Sequence, residues 1–210
     1  MKLIICLVIG LLAGLLMFCG DMLLYYDSRD YVSNGSFGSI IEIMKNVSEK
    51  RLYAGGIIGP IAAFLYCIGY YHIICMVNQN VMIFAFVCFL CCCMGIIIGG
   101  AYHSHCAYLG LLGKLETEES VNVAIKYFTF INRISFLFQV IGLLGLFICV
   151  VMGWTKLPQI FAVITPGILY LLLPIIRKLP KGLHIVIYGG WSNFIFVIYY
   201  TIVLTYNVLH

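Results

Sequence analysis

Six long apolar runs divide this chain, and only short polar connections lie between them. A helix needs roughly 20 residues, rising ~1.5 Å each, to cross the ~30 Å hydrocarbon core of a bilayer. The runs cover 3–26, 52–77, 81–108, 134–154, 159–176 and 182–206, so each reads as a spanning helix. The expected fold is all-α, a polytopic membrane bundle of about six transmembrane helices. With 210 residues there is no room for a separate soluble unit, and the chain reads as a single transmembrane domain. Composition agrees: 10% of residues are charged, against about 25% in a soluble domain. The run 159–176 is the shortest, and Pro166 and Pro174 predict a bend in it.

Charge placement supplies an orientation. Of the 12 Lys and Arg residues, only Lys2 and Lys156 fall beside one set of helix ends. The others occupy the first, third and fifth connections, which the positive-inside rule assigns to the cytoplasm. Both termini are then expected on the non-cytoplasmic side. The N-terminal run has no A-x-A-like cleavage site before Asp21, and Phe18-Cys19 departs from a lipoprotein box, so it is expected to be a retained helix. In the first connection, Phe37, Ile40, Ile41, Met44 and Val47 recur at helical spacing, which predicts an interfacial amphipathic helix. The third connection, from Lys114 to Ser120, is expected to be an acidic, solvated loop.

Lipid tails are as apolar as leucine, so helices in a bilayer associate through small residues that let backbones approach. Three GxxxG pairs occur, Gly10/Gly14, Gly55/Gly59 and Gly95/Gly99, predicting close packing among the first three helices. At helical spacing the same stripes carry Asp21 and Tyr25, then Tyr66 and Gly69, then His103. In the fourth helix Asn132, Ser135, Gln139, Gly142 and Cys149 share one face, which should turn towards the other helices. The ten Cys residues form no CxxC pattern and read as small packing residues. No metal site is expected, and no cofactor is indicated.

Counting along the helices collects polarity at one depth. Asp21 lies roughly 27 Å along the first helix from Leu3, near its cytoplasmic end. His103, Gln139 and His184 are expected at a similar level, with Tyr25 and Arg51 beside them, whereas the other half offers His72 and the mid-helix Asn193. An acid within an apolar helix is costly and marks a functional candidate by default. Imidazole titrates near neutrality and suits proton transfer. Asp21 and His103 are therefore the candidate catalytic pair. Tyr25, Arg51, Gly55, Gly59, Asn132, Gln139 and His184 are the candidate substrate-binding residues, the glycines by allowing close approach.

The segments Gly20-Asp21-Met22-Leu23-Leu24-Tyr25, Arg51 to Pro60 and Gly99-Gly100-Ala101-Tyr102-His103 resemble an uncharacterised bacterial family of small polytopic membrane proteins. That resemblance implies a cell-membrane location, the bacterial inner membrane, and no particular activity. The Gly-Asp-x-Leu-Leu at a helix end is also similar to the lysoplasmalogenase (YhhN-like) membrane hydrolases, whose intramembrane aspartates are thought to be catalytic. This chain departs from them, because Asp21 is the one acid within its apolar runs and those enzymes have more helices.

Three functions follow as expectations. The first is a membrane-embedded enzyme using acid/base chemistry on a lipid or other hydrophobic small molecule at the cytoplasmic leaflet. The second is a small transporter or channel with Asp21 in a proton-coupling or permeation path. The third is a noncatalytic assembly subunit. Membrane lipid is the expected partner, nucleic acid is not, and exposed GxxxG faces leave room for a homo-oligomer.

Overall fold

A computed structural model describes residues 1–26, 43–115 and 118–210; the side chains of Glu118, Lys181, His184 and Ile185 lie outside that description. Helices α1 (Lys2–Tyr25), α2 (Glu49–Tyr70), α3 (His72–Met76), α4 (Met82–Leu115) and α5 (Glu118–Val151) come first. A 3-10 turn (Gln159–Ile164) and the short helices α6 (Pro166–Tyr170) and α7 (Leu173–Ile176) lead into α8 (Lys181–Leu209). Among the described residues five helical stretches are long and apolar enough to cross a membrane, which makes this a multi-pass membrane protein.

The long helices form an arc in the order α8, α1, α2, α4, α5, each packed on the next. Glycines fix the directions. Gly69 of α2 abuts Gly10 of α1 at one end while Gly55 abuts Leu24 at the other, so these helices are antiparallel. Gly10 also seats the ring of Tyr200, and Gly14 meets Val197, making α8 antiparallel to α1. Gly95 and Gly99 pack on Gln139 and Ser135 of α5. The third GxxxG pair therefore serves α5, outside the expected cluster of the first three helices. The polar face of α5 does turn inward, with Ser135 Oγ donating to Gly95 O at 2.8 Å.

Two boundaries differ from the sequence reading. The expected loop around Lys114 to Ser120 is spanned largely by helix, because α4 and α5 run on to Leu115 and back to Glu118. Each has 34 residues, about 51 Å at 1.5 Å per residue, well beyond the hydrocarbon thickness. Falling hydropathy marks where a membrane ends; the helix persists because Tyr127, Phe128 and Ile131 continue an apolar stripe, and Phe128 stacks on Tyr102 at 4.2 Å. Glu116 lies outside the described residues. The second difference is 159–176, which breaks into short helices at Pro166 and Pro174 instead of merely bending. Since α5 and α8 run in the same direction, this broken segment returns along the length of the bundle and packs between them.

The expected amphipathic helix of the first connection falls mostly outside the described residues. Of its apolar positions Met44 and Val47 are buried, Met44 against Gly110 of α4. At the opposite end of the bundle, Val77 and Thr155 form an isolated bridge. Asn78 N–H donates to Trp154 O at 2.8 Å and Lys156 N–H to Met76 O at 3.0 Å, tying the two connections together.

Candidate functional site

Asp21 sits one turn before the end of α1, on the same stripe as Gly10, Gly14 and Met17. Close packing of α1, α2 and α4 brings it to His103, with Oδ1 3.2 Å from Nε2. Both residues are 5% exposed, so they meet in a medium of low dielectric, where an unpaired polar group is costly. The other carboxylate oxygen, Oδ2, accepts from Asn193 Nδ2 of α8 at 2.7 Å. Tyr66 of α2 donates its hydroxyl to Asn193 Oδ1 at 3.3 Å, which orients the amide with its NH2 towards Asp21. Four residues from four helices thus form one connected chain. His103 Nδ1 is buried and has no hydrogen-bond partner among the described residues.

The backbone makes room for this. A Cβ at Gly59 would run into the His103 Cβ and come within 3.0 Å of Gly100 O, so the imidazole can occupy this layer only opposite glycine. One residue on, Pro60 removes the N–H that would have bonded Gly56 O, and Ser104 Oγ donates to that oxygen instead at 2.9 Å.

Asp21, His103 and Asn193 line a cavity of about 610 Å³ on the concave side of the arc, a volume typical of ligand pockets. Its wall is mostly apolar. Tyr25, Tyr102, Asn132, Ser135, Tyr188 and Ser192 add polar groups on the side of the pair, whereas Leu143, Leu144, Phe147 and Gly167 line the far end. Phe136, Val140, Leu144 and Leu171 are also exposed, so the cavity opens sideways between α5 and the broken segment.

The structure distributes the other candidates unevenly. Tyr25 and Asn132 border the cavity, and the Tyr25 hydroxyl lies 2.9 Å from Cys106 Sγ. Gln139 lines it too, but about two turns beyond the His103 level, bonded to Cys92 O and Tyr70. Arg51, Gly55 and Gly59 do not line it. Arg51 donates to the carbonyls of Leu23, Met22 and Tyr26, satisfying the open C-terminal end of α1. Gly55 is filled by Leu24 and Gly59 by His103. His184 lies in the first turns of α8 with its side chain outside the described residues; its backbone position is about 13 Å along the helix from Asn193, off the level expected for it.

Asn193 and Tyr66 belong to this site and are not among the residues that sequence spacing assigns to it. The apolar window of α8 begins only at Val186, which leaves Asn193 about two turns inside it. The available signal was an amide within an apolar helix, a group that demands a partner. Among the described residues no group of three or more His, Cys, Asp or Glu could hold a metal ion.

A family of unknown function, DUF6796, matches residues 1–209, and the chain belongs to that family. No curated protein and no solved structure matches it.

Proposed function

We propose that this member of a family of unknown function is a membrane-embedded enzyme that acts by acid/base chemistry on a lipid or other hydrophobic substrate near the cytoplasmic leaflet. The observation that supports it is the buried Asp21–His103 pair on the wall of a cavity open to the side. A proton shared between carboxylate and imidazole is available to a molecule in the cavity. In hydrolysis, the simplest reaction of this kind, the pair takes a proton from attacking water and returns one to the leaving oxygen. Asn193 and Tyr66 hold the carboxylate in place, and Tyr25 and Asn132 supply polar contacts for the substrate. We read the broken segment 159–176 as the remaining membrane crossing, which gives six in all, and the distribution of Lys and Arg as directing both termini to the non-cytoplasmic side.

A transporter or channel needs polar lining through the full thickness. Here the wall turns apolar from Leu143 to Phe147, and of the buried polar groups at the other end His72 is paired at both ring nitrogens, while the Tyr200 hydroxyl does not line the cavity. That contrast favours the enzyme.

The test uses the full chain in nanodiscs containing a mixed polar lipid extract, with lipid consumption followed by mass spectrometry. Wild type is expected to convert at least one lipid species that the Asp21→Asn variant leaves intact, while both variants elute as the same folded species. Equal lipid profiles with the two proteins would remove the catalytic reading.

A further inference from the structure

Building on that reading, we infer that the cavity takes an amphiphile with a single apolar chain and an anionic head, its reacting bond lying at the junction of the two. Three zones follow one another along the cavity. From Asn132, level with the Asp21–His103 pair, the lining on α5 runs to Phe147, about 22 Å at 1.5 Å per residue. Beyond Gln139 the α5 lining is apolar, with Leu143, Leu144 and Phe147, and Gly167 of α6 packs on Leu143. In the other direction Tyr188 lies five positions before Asn193 on α8, about 7.5 Å away along the axis.

Tyr188 marks the cationic end. The Arg177 guanidinium lies over its ring, 5.5 Å from the centroid, where the ring face attracts the cation without using its hydrogen-bond donors. Arg177 and the adjacent Lys178 are exposed, as is Arg133, next to the cavity-lining Asn132. Glu119 is 14 positions before Arg133 on α5, roughly 20 Å along the helix, so the described charges flanking this end of the cavity are positive. An anionic head fits this end, and an exposed guanidinium binds phosphate or carboxylate through paired N–H groups. The far end lies between one face of α5 and the short helix α6, and the cavity's volume of about 610 Å³ suits one chain.

Binding tests this separately from turnover. Wild-type protein in maltoside micelles is titrated calorimetrically with hexadecyl phosphate, hexadecylphosphocholine and octyl phosphate. Hexadecyl phosphate is expected to bind about tenfold tighter than the zwitterion. Arg177→Gln, at an exposed position, is expected to abolish that preference. Gly167→Phe should weaken hexadecyl phosphate about tenfold and leave octyl phosphate unchanged; its Cβ meets Leu143 at an ordinary 3.5 Å, so the backbone tolerates it. Leu144→Trp, at an exposed lining position, checks the same end independently. Failure of hexadecyl phosphate to bind saturably, indifference to Arg177→Gln, or equal losses for both chain lengths would overturn the inference. Tight binding by wild type and Asp21→Asn alike, with no lipid consumed by either, would support the ligand class and remove only the catalytic reading.

Discussion

Two buried histidines, His72 and His103, occupy opposite ends of this bundle, and their surroundings differ in one respect. His72 is satisfied at both ring nitrogens, by Gly69 O at 2.7 Å and the Tyr199 hydroxyl at 2.9 Å, and its ring packs edge-on against Tyr200. It borders no described cavity, and its work is to join α3 to α8. His103 meets a carboxylate at Nε2, has no hydrogen-bond partner at Nδ1 among the described residues, and lies on a cavity wall. A buried polar group that is fully paired closes a core, whereas one left partly unpaired beside open space is the expected form of a site.

Exchanging the chemistry at each end sharpens that contrast. Asp21→Asn keeps the shape and the contact with Asn193 but removes the acid, so conversion of the responsive lipid is expected to fall about 10²- to 10⁴-fold, in the range for a lost general acid or base. Thermal unfolding of the same sample should change little. His103→Ala leaves Asp21 Oδ1 buried without its partner, and a loss of roughly 1–3 kcal/mol in chemical denaturation is expected. At the other end, His72→Phe should cost roughly 1–3 kcal/mol by leaving Gly69 O and the Tyr199 hydroxyl short of a partner, while turnover per folded molecule stays at the wild-type rate. If His72→Phe abolished turnover without unfolding the protein, the division between a structural and a reactive histidine would fail.

Much of this division was readable from residue spacing. The stripe Gly10, Gly14, Met17, Asp21, Tyr25 is the buried face of α1, because a helical period and the need to bury small and polar groups lead to the same side. The glycines of α2 are legible as a close-packing face, but their partners are not: what fills the space opposite Gly59 depends on the register between α2 and α4, a tertiary quantity that places His103 there. Arg51 was grouped with Asp21 by depth, yet it turns to the α1 carbonyls, since open backbone acceptors at a helix end attract a guanidinium at the bundle edge. Asn193 and Tyr66 were visible as residues and invisible as partners, being 127 positions apart. The breaks at Pro166 and Pro174 follow from proline chemistry; that the broken segment walls a cavity does not, because that depends on α5 and α8 running in the same direction.

The smallest expected effect probes whether the two ends are independent. Tyr66 belongs to both: its hydroxyl reaches Asn193, while its ring stacks on Tyr70 at 5.6 Å and meets Phe196 edge-on at 5.2 Å, within the aromatic packing that continues through Tyr200 to His72. Tyr66→Phe preserves that packing and removes one hydroxyl, so a stability loss of roughly 0.5–1.5 kcal/mol is expected. Without the hydroxyl, the Asn193 amide loses the donor that fixes its orientation, and turnover should fall severalfold as the carboxylate becomes less well held. Combined with His72→Phe, the stability losses should add within about 0.5 kcal/mol if the aromatic layer merely separates the ends. A clear excess or deficit in the double variant would mean that the histidine at the closed end helps set the geometry of the pair at the open one.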